Sequence, residues 1–184
     1  MTGGFEDPGE RAGDEAVAVR EGEMDDADAV ADLWVALAEG QRIHGTTLRG
    51  EENRAAAREA AARAVVTGGL FVAHVAGDVA AGGPDSARER GVVGFLTCGI
   101  ETGGYERTLR RGVVHNLYVR PAYRGDGVGS RLLARGEAAL VDAGADAVAL
   151  EAMADNERAR RFYRRNGYEP HRVELQKRVE DAKR

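Results

Sequence analysis

The chain has 184 residues, of which 31% are charged and 43% hydrophobic, and its formal net charge is −5 at pH 7. That length suits one domain with a full core, and no apolar run is long enough to span a bilayer. A single cysteine, Cys98, excludes an internal disulfide and fits a reducing cytoplasm.

Residues 1–15 are acidic and glycine-containing, unlike a signal peptide, and read as a disordered tail. Residues 16–180 read as a single domain. Ala16–Glu21 alternates as a first strand does. Asp25 or Asp26 can cap the helix that follows, which places Val30, Leu33, Trp34 and Leu37 on one face. Gly40–Gly50 is a loop, and an alanine- and arginine-rich helix runs from Glu51 to Val66, ended by Thr67-Gly-Gly. Leu70–Ala80 and Gly91–Ile100 are strands joined by a polar hairpin connection with Gly82-Gly83-Pro84.

Glu101–Gly112 is an arginine-bearing link, suited to acceptor choice or dimer contacts. The β-branched, alternating run Gly112–Val119 is a fourth strand, stopped by Pro121. Leu132, Leu133, Gly136, Ala139 and Leu140 then recur at helical spacing. Ala147–Met153 is a short buried strand, parallel to the fourth because a helix separates them. Asp155-Asn156 opens a last helix with Ala159, Phe162 and Tyr163 inward, and Asn166-Gly167 closes it through a left-handed cap. Tyr168–Val179 is the last strand. The order βααβββαβαβ predicts an α/β fold, a mixed sheet with helices on both faces.

Charge is uneven along the chain. Residues 1–40 hold twelve acids against Arg11 and Arg20. Residues 105–135 hold Arg107, Arg110, Arg111, Arg120, Arg124, Arg131 and Arg135 against Glu106 and Asp126. Aromatics do not interleave with these arginines and the total charge is negative, which argues against nucleic acid as a partner.

The arginines bracket the strand-to-helix bend Val119–Leu133, which contains Gly125, Gly127 and Gly129. The first amides of a helix lack partners inside it, the helix dipole adds positive character there, and glycine lets a ligand come close. Such a bend cradles phosphate oxygens. Ser130 and Arg131 follow Gly129, so the third glycine of a dinucleotide fingerprint is missing, and no lysine is present for a P-loop.

Arg124-x-x-Gly127-x-Gly129, preceded by Leu117-Tyr-Val-x-Pro121, resembles the acetyl-CoA signature of the GCN5-related N-acetyltransferase (GNAT) family. The block from Ala149 to Tyr168, with Asn156, Ala159, Phe162, Tyr163 and Asn166-Gly167, resembles that family's later motif. The resemblance implies acetyl-CoA as co-substrate, its pyrophosphate held by the amides of Arg124, Gly125, Asp126, Gly127, Val128, Gly129 and Ser130. It implies that the backbone of Leu117, Tyr118 and Val119 pairs with the pantetheine arm, in a gap where the two parallel strands splay. An N–H of Leu117 or Tyr118 would polarise the thioester carbonyl. Tyr163 takes the place of the family's general acid, and Asn156 contacts the cofactor, caps its helix, or does both.

The base is open at this stage. His115 lies four residues before Val119 and so shares a face with Leu117 and Val119, and Glu151 and Glu101 are rivals, as is a water relay. His44 and His74 read as incidental, although the His44 loop and the acidic first helix hint at a cationic acceptor. The expected activity is transfer of acetyl to a primary amine of a small molecule or a protein, by direct attack in a ternary complex. The alternative is a non-catalytic acyl-CoA sensor. No metal, nucleic acid or membrane is implied; the expected setting is cytoplasmic, as a monomer or homodimer.

Overall fold

A computed structural model describes residues 17–75, 91–103 and 107–177. The expected tail at 1–15 and nearly all of the hairpin connection after β2 lie outside the described residues. The elements are β1 (Val17–Glu21), α1 (Ala27–Gly40), α2 (Arg54–Val66), β2 (Leu70–Val75), β3 (Val92–Ile100), β4 (Arg111–Val119), α3 (Val128–Asp142), β5 (Ala147–Leu150) and α4 (Glu157–Arg165). The chain divides into two compact units, with the sheet and α1 to α3 in a unit ending at Glu151 and α4 in one beginning at Ala152.

The sheet order is β1-β2-β3-β4-β5. The first four strands pair antiparallel and β5 joins β4 in parallel. This is the mixed sheet that the sequence predicts. Successive strand residues point to opposite faces, and β3 shows the result. Phe95 packs into a cluster with Val30, Leu33, Ala61 and Val72, under α1 and α2. Its neighbour Leu96 meets α3 on the other face, so close at Gly136 that a Cβ there would run into the leucine side chain. Leu132, Leu133 and Leu140 are buried along the same face of α3. Helices therefore cover both sides.

α1 is fixed at its start by charge. Asp26, only 1% exposed, accepts two hydrogen bonds from Arg20 on β1, at 2.6 and 2.8 Å, and a third from the Glu23 amide at 2.8 Å. A carboxylate this buried requires such partners. Farther along α1, Asp32 receives Arg54 at 2.6 Å and Asp28 receives Arg58 at 3.0 Å, both from α2. Two of the three acids of α1 that hinted at a cationic acceptor, Asp28 and Asp32, are thus engaged by α2, and Glu39 is not among those pairs.

α4 ends as its sequence predicts. Gly167 has φ +86°, the Tyr168 amide donates to the Tyr163 carbonyl at 3.0 Å, and the Gly167 amide to Arg164 at 3.1 Å. These are the two bonds of a Schellman cap. The expected strand Tyr168–Val179 is not formed: residues 168–177 carry no strand, and 178–179 lie outside the described residues. Val173 and Leu175 are 83% and 91% exposed, so the alternation there has no apolar face to bury against. Strand β5 is also shorter than expected, ending at Leu150 rather than Met153.

Candidate active site

The bend after β4 is built from three local features. Arg120 donates its amide to the Val93 carbonyl at 2.8 Å, which carries the end of β4 alongside β3. Pro121–Tyr123 makes one 3₁₀ turn, with proline at a position where its missing N–H costs nothing. Gly125 and Gly127 then take φ of +108° and +76°. Space is not the reason for glycine at either position, because a Cβ would meet nothing within 4 Å. Conformation is the reason.

Gly127 is the N-cap of α3, no side chain caps that helix, and its first turn holds no acid. Among the described residues, the amides from Gly125 to Ser130 find no acceptor in the bend, and the first turn closes only when Arg131 donates to the Gly127 carbonyl at 3.0 Å. Val128 beneath is buried and anchors the turn. A row of amides without acceptors at the positive end of a 15-residue helix attracts phosphate. Arg124 is held beside it, with Nε donating to the Val119 carbonyl at 2.7 Å and its guanidinium 5.3 Å from the centre of the Tyr118 ring.

The strand leading to the bend is open on one side. Pairing of β4 with β5 stops at Val114–Leu150, so the remainder of β4, through Leu117, Tyr118 and Val119, is paired to β3 alone. The stopping point coincides with a bulge. Asn116 stands opposite Thr97 and Val114 opposite Cys98, which leaves His115 as the extra residue. A bulge bends its strand and increases its twist, and here it falls level with the end of β5 at Leu150.

The profile of the acetyltransferase (GNAT) family matches residues 79–168. The chain is similar to that family over this stretch, just under half of its length. Over 57 residues it is 54% identical to an uncharacterised protein of Mycobacterium leprae, a stretch covering 30% of this chain and 15% of that protein's length. Its fold is similar to that of a GCN5-related N-acetyltransferase from Ralstonia eutropha, at 20% identity, with a TM-score of 0.65 over 90% of this chain and 99% of the other. An aminoglycoside N-acetyltransferase in complex with CoA is similar at 15% identity, with a TM-score of 0.64 over 89% and 95% of the two chains.

The expected site residues divide. Leu117, Tyr118, Val119, Arg124, Gly125, Asp126, Gly127, Val128, Gly129 and Ser130 form one continuous feature, the open edge of β4 and the bend. Glu151 lies one residue past β5 and is exposed. Glu101 is occupied, by Arg107 at 2.7 Å and Arg111 at 3.5 Å. The positive stretch does not surround the bend as a whole. Arg110 and Arg111 lie at the opposite end of the nine-residue β4, with Arg107 tied there through Glu101. Arg120, Arg124, Arg131 and Arg135 remain at the bend side of the chain.

His115 is the larger correction. Leu117 pairs with Leu96 and Val119 with Gly94, both on the α3 face. The bulge puts His115 on the other face with Asn116 and Thr97; its Nε2 would be 3.8 Å from a Cβ on Gly99. The period-2 count fails because one residue is inserted. His115 stays exposed there.

In the second unit, Asn156 caps α4, its Oδ1 accepting the Ala159 amide at 3.0 Å. Tyr163 makes edge contacts with Phe162 and Tyr168, at ring separations of 5.2 and 5.9 Å. Burial pushes its phenol above the ordinary tyrosine value. Thr97 and Asn116 carry no signal in the sequence, and the loop between α1 and α2, marked there only through His44, forms a cleft of about 540 Å³ lined by Glu39, Arg42, Thr46, Leu48, Arg49 and Glu52. The cue for the cleft was loop length; for the pair there was none, since it depends on which residues β3 and β4 set opposite each other.

Proposed function

We propose that the protein moves the acetyl group of acetyl-CoA to a primary amine by direct attack in a ternary complex. One observation carries this reading: a bend of unpartnered amides, shaped by Gly125 and Gly127, continues from a strand edge that β5 leaves open past Val114. The bend is suited to a diphosphate and the edge to the amides of a pantetheine arm. The donor fits these residues, since the helix start is free of side-chain caps and acids. Bound there, the thioester supplies an activated acetyl group.

The chain's own groups do the rest. The amides of Gly125 to Ser130 hold the diphosphate, with the Arg124 side chain beside them. An N–H of Leu117 or Tyr118 stabilises the oxyanion. His115, exposed on the face away from α3, takes the proton of the amine directly or through water; Glu151 is the alternative base. Tyr163 donates to the departing thiolate, and its raised pKa keeps the phenol protonated at neutral pH. Asn156 orients the start of α4. The α1–α2 cleft, with acids and arginines together, suits an acceptor that carries an amine and further polar groups.

The test is release of CoA from acetyl-CoA against a panel of polyamines, aminoglycosides, amino acids and lysine peptides. Amine-dependent release supports the reading. Tight binding of acetyl-CoA with no release for any amine would instead identify an acyl-CoA sensor, and no binding at all would end both.

A further inference from the structure

We propose that Thr97 and Asn116 form a latch that holds the β4 bulge in register and so positions His115 and the carbonyl-polarising amide. This inference rests on the acetyltransfer reading for its catalytic consequence, though not for the latch itself. Asn116 Nδ2 donates to Thr97 Oγ1 at 2.9 Å. Thr97 is only 8% exposed, and Asn116 is half-buried beside it. The two stand opposite each other on the face away from α3, at the one place where β3 and β4 change register.

The location gives the bond its importance. A one-residue slip in a strand exchanges its two faces. Burial normally forbids such a slip, but the apolar pattern of β4 is weak here: His115 is exposed, and Asn116, Leu117 and Tyr118 are all half-buried. A side-chain bond between Asn116, the residue next to the bulged His115, and its opposite neighbour Thr97 discriminates where burial does not. It also lies within two residues of Val114–Leu150, the last pair joining β4 to β5. Moving the bulge would shift both the start of the open edge and the face on which His115 stands. The bend after Val119 has its own supports, in Arg120 to Val93 and Val128, so grip on the diphosphate need not change.

Removing one partner leaves the other buried and unsatisfied, whereas replacing both with apolar groups does not. Thr97→Val and Asn116→Ala are therefore each expected to lower kcat for amine-dependent CoA release by about tenfold to a hundredfold, the scale of a misplaced reacting group. Kd for CoA and KM for the amine should move by less than about twofold. Thr97→Ser keeps the hydroxyl and should restore kcat. The double variant Thr97→Val/Asn116→Leu should recover the melting temperature without recovering kcat. If kcat instead follows the melting temperature through the series, or never changes, the latch has no positioning role.

Amide hydrogen exchange at His115, Asn116 and Leu117 gives a readout independent of turnover. It should quicken by about tenfold or more in Asn116→Ala while the rest of β3 and β4 is unchanged; equal protection in both proteins overturns the proposal. Should the unmodified protein release no CoA with any amine, the acetyltransfer reading fails by that result alone, and the exchange data still decide the latch.

Discussion

Among the described residues, burial raises the pKa of Tyr163 and of Cys98, with different consequences. For Tyr163 it raises the phenol pKa, so the proton that the proposed mechanism needs is present throughout the neutral range. Tyr163→Phe keeps both edge contacts, with Phe162 and Tyr168, and removes only the hydroxyl. It should reduce kcat by about a hundredfold or more, the usual worth of a positioned acid, and leave CoA affinity unchanged in calorimetry. Undiminished turnover would remove Tyr163 from the mechanism. Cys98 is the second group. Burial pushes its thiol up to about 11 from the ordinary 9.0, and Sγ lies 3.8 Å from the Gly136 carbonyl. The unfolded chain therefore loses this proton before the folded one does. Its contribution to stability is intact below pH 9 and declines as pH rises toward about 11. Urea midpoints measured between pH 8 and 11 should fall more steeply for the natural protein than for Cys98→Ala; parallel curves would mean that the thiol does not titrate differently on folding. His115 marks where residue-level reading stopped. Its identity as a candidate was legible, but its face was not, because an inserted residue in β4 shows only when β3 is set beside it.

The elements differ in how far each can be read from its own residues. The bend between β4 and α3 was legible in full, since its chemistry is local: Pro121 stops the strand, Gly125 and Gly127 supply left-handed backbone, and the helix that follows has a clear apolar stripe. The same holds for the cap at Gly167. The strand expected at Tyr168–Val179 had alternation but no partner to pair with across residues 168–177, and alternation alone does not make a strand. At the bend, the argument yields a direct test. An alanine at Gly127 would find open space for its Cβ and yet be forced into φ near +76°. That conformation costs a non-glycine residue about 1–2 kcal/mol. Gly127→Ala should therefore lower stability by about that amount in urea titration. It should also weaken CoA binding at least tenfold if the bend relaxes to relieve the strain. Loss of stability with unchanged CoA affinity would show that the amides of this turn do not hold the cofactor.

Among the described residues, several charges are matched in local pairs. Asp26 is matched by Arg20, Asp28 and Asp32 by the arginines of α2, and Glu101 by Arg107 and Arg111. The exposed pairs contribute little individually. The bend is an exception to this pairing. Arg124 is directed to a carbonyl and a ring rather than to an acid, Arg131 donates to the Val17 carbonyl at 2.7 Å, and Arg120 donates to the Val92 carbonyl at 3.3 Å. Bonds to neutral carbonyls orient these guanidinium groups without neutralising them. Their positive charge, added to the helix end, is left for an anionic ligand. The contribution is screened by salt, with a Debye length of about 10 Å at 0.1 M falling to about 3 Å at 1 M. CoA should therefore bind several-fold more weakly as sodium chloride is raised across that range. Arg124→Gln should weaken binding at low salt and flatten the salt dependence, because one of the charges being screened is gone. Dephospho-CoA and pantetheine, which carry less phosphate, should show shallower slopes in that order. An affinity for CoA that is indifferent to salt and to Arg124→Gln would place the phosphates somewhere other than the bend, whatever the rest of the fold resembles.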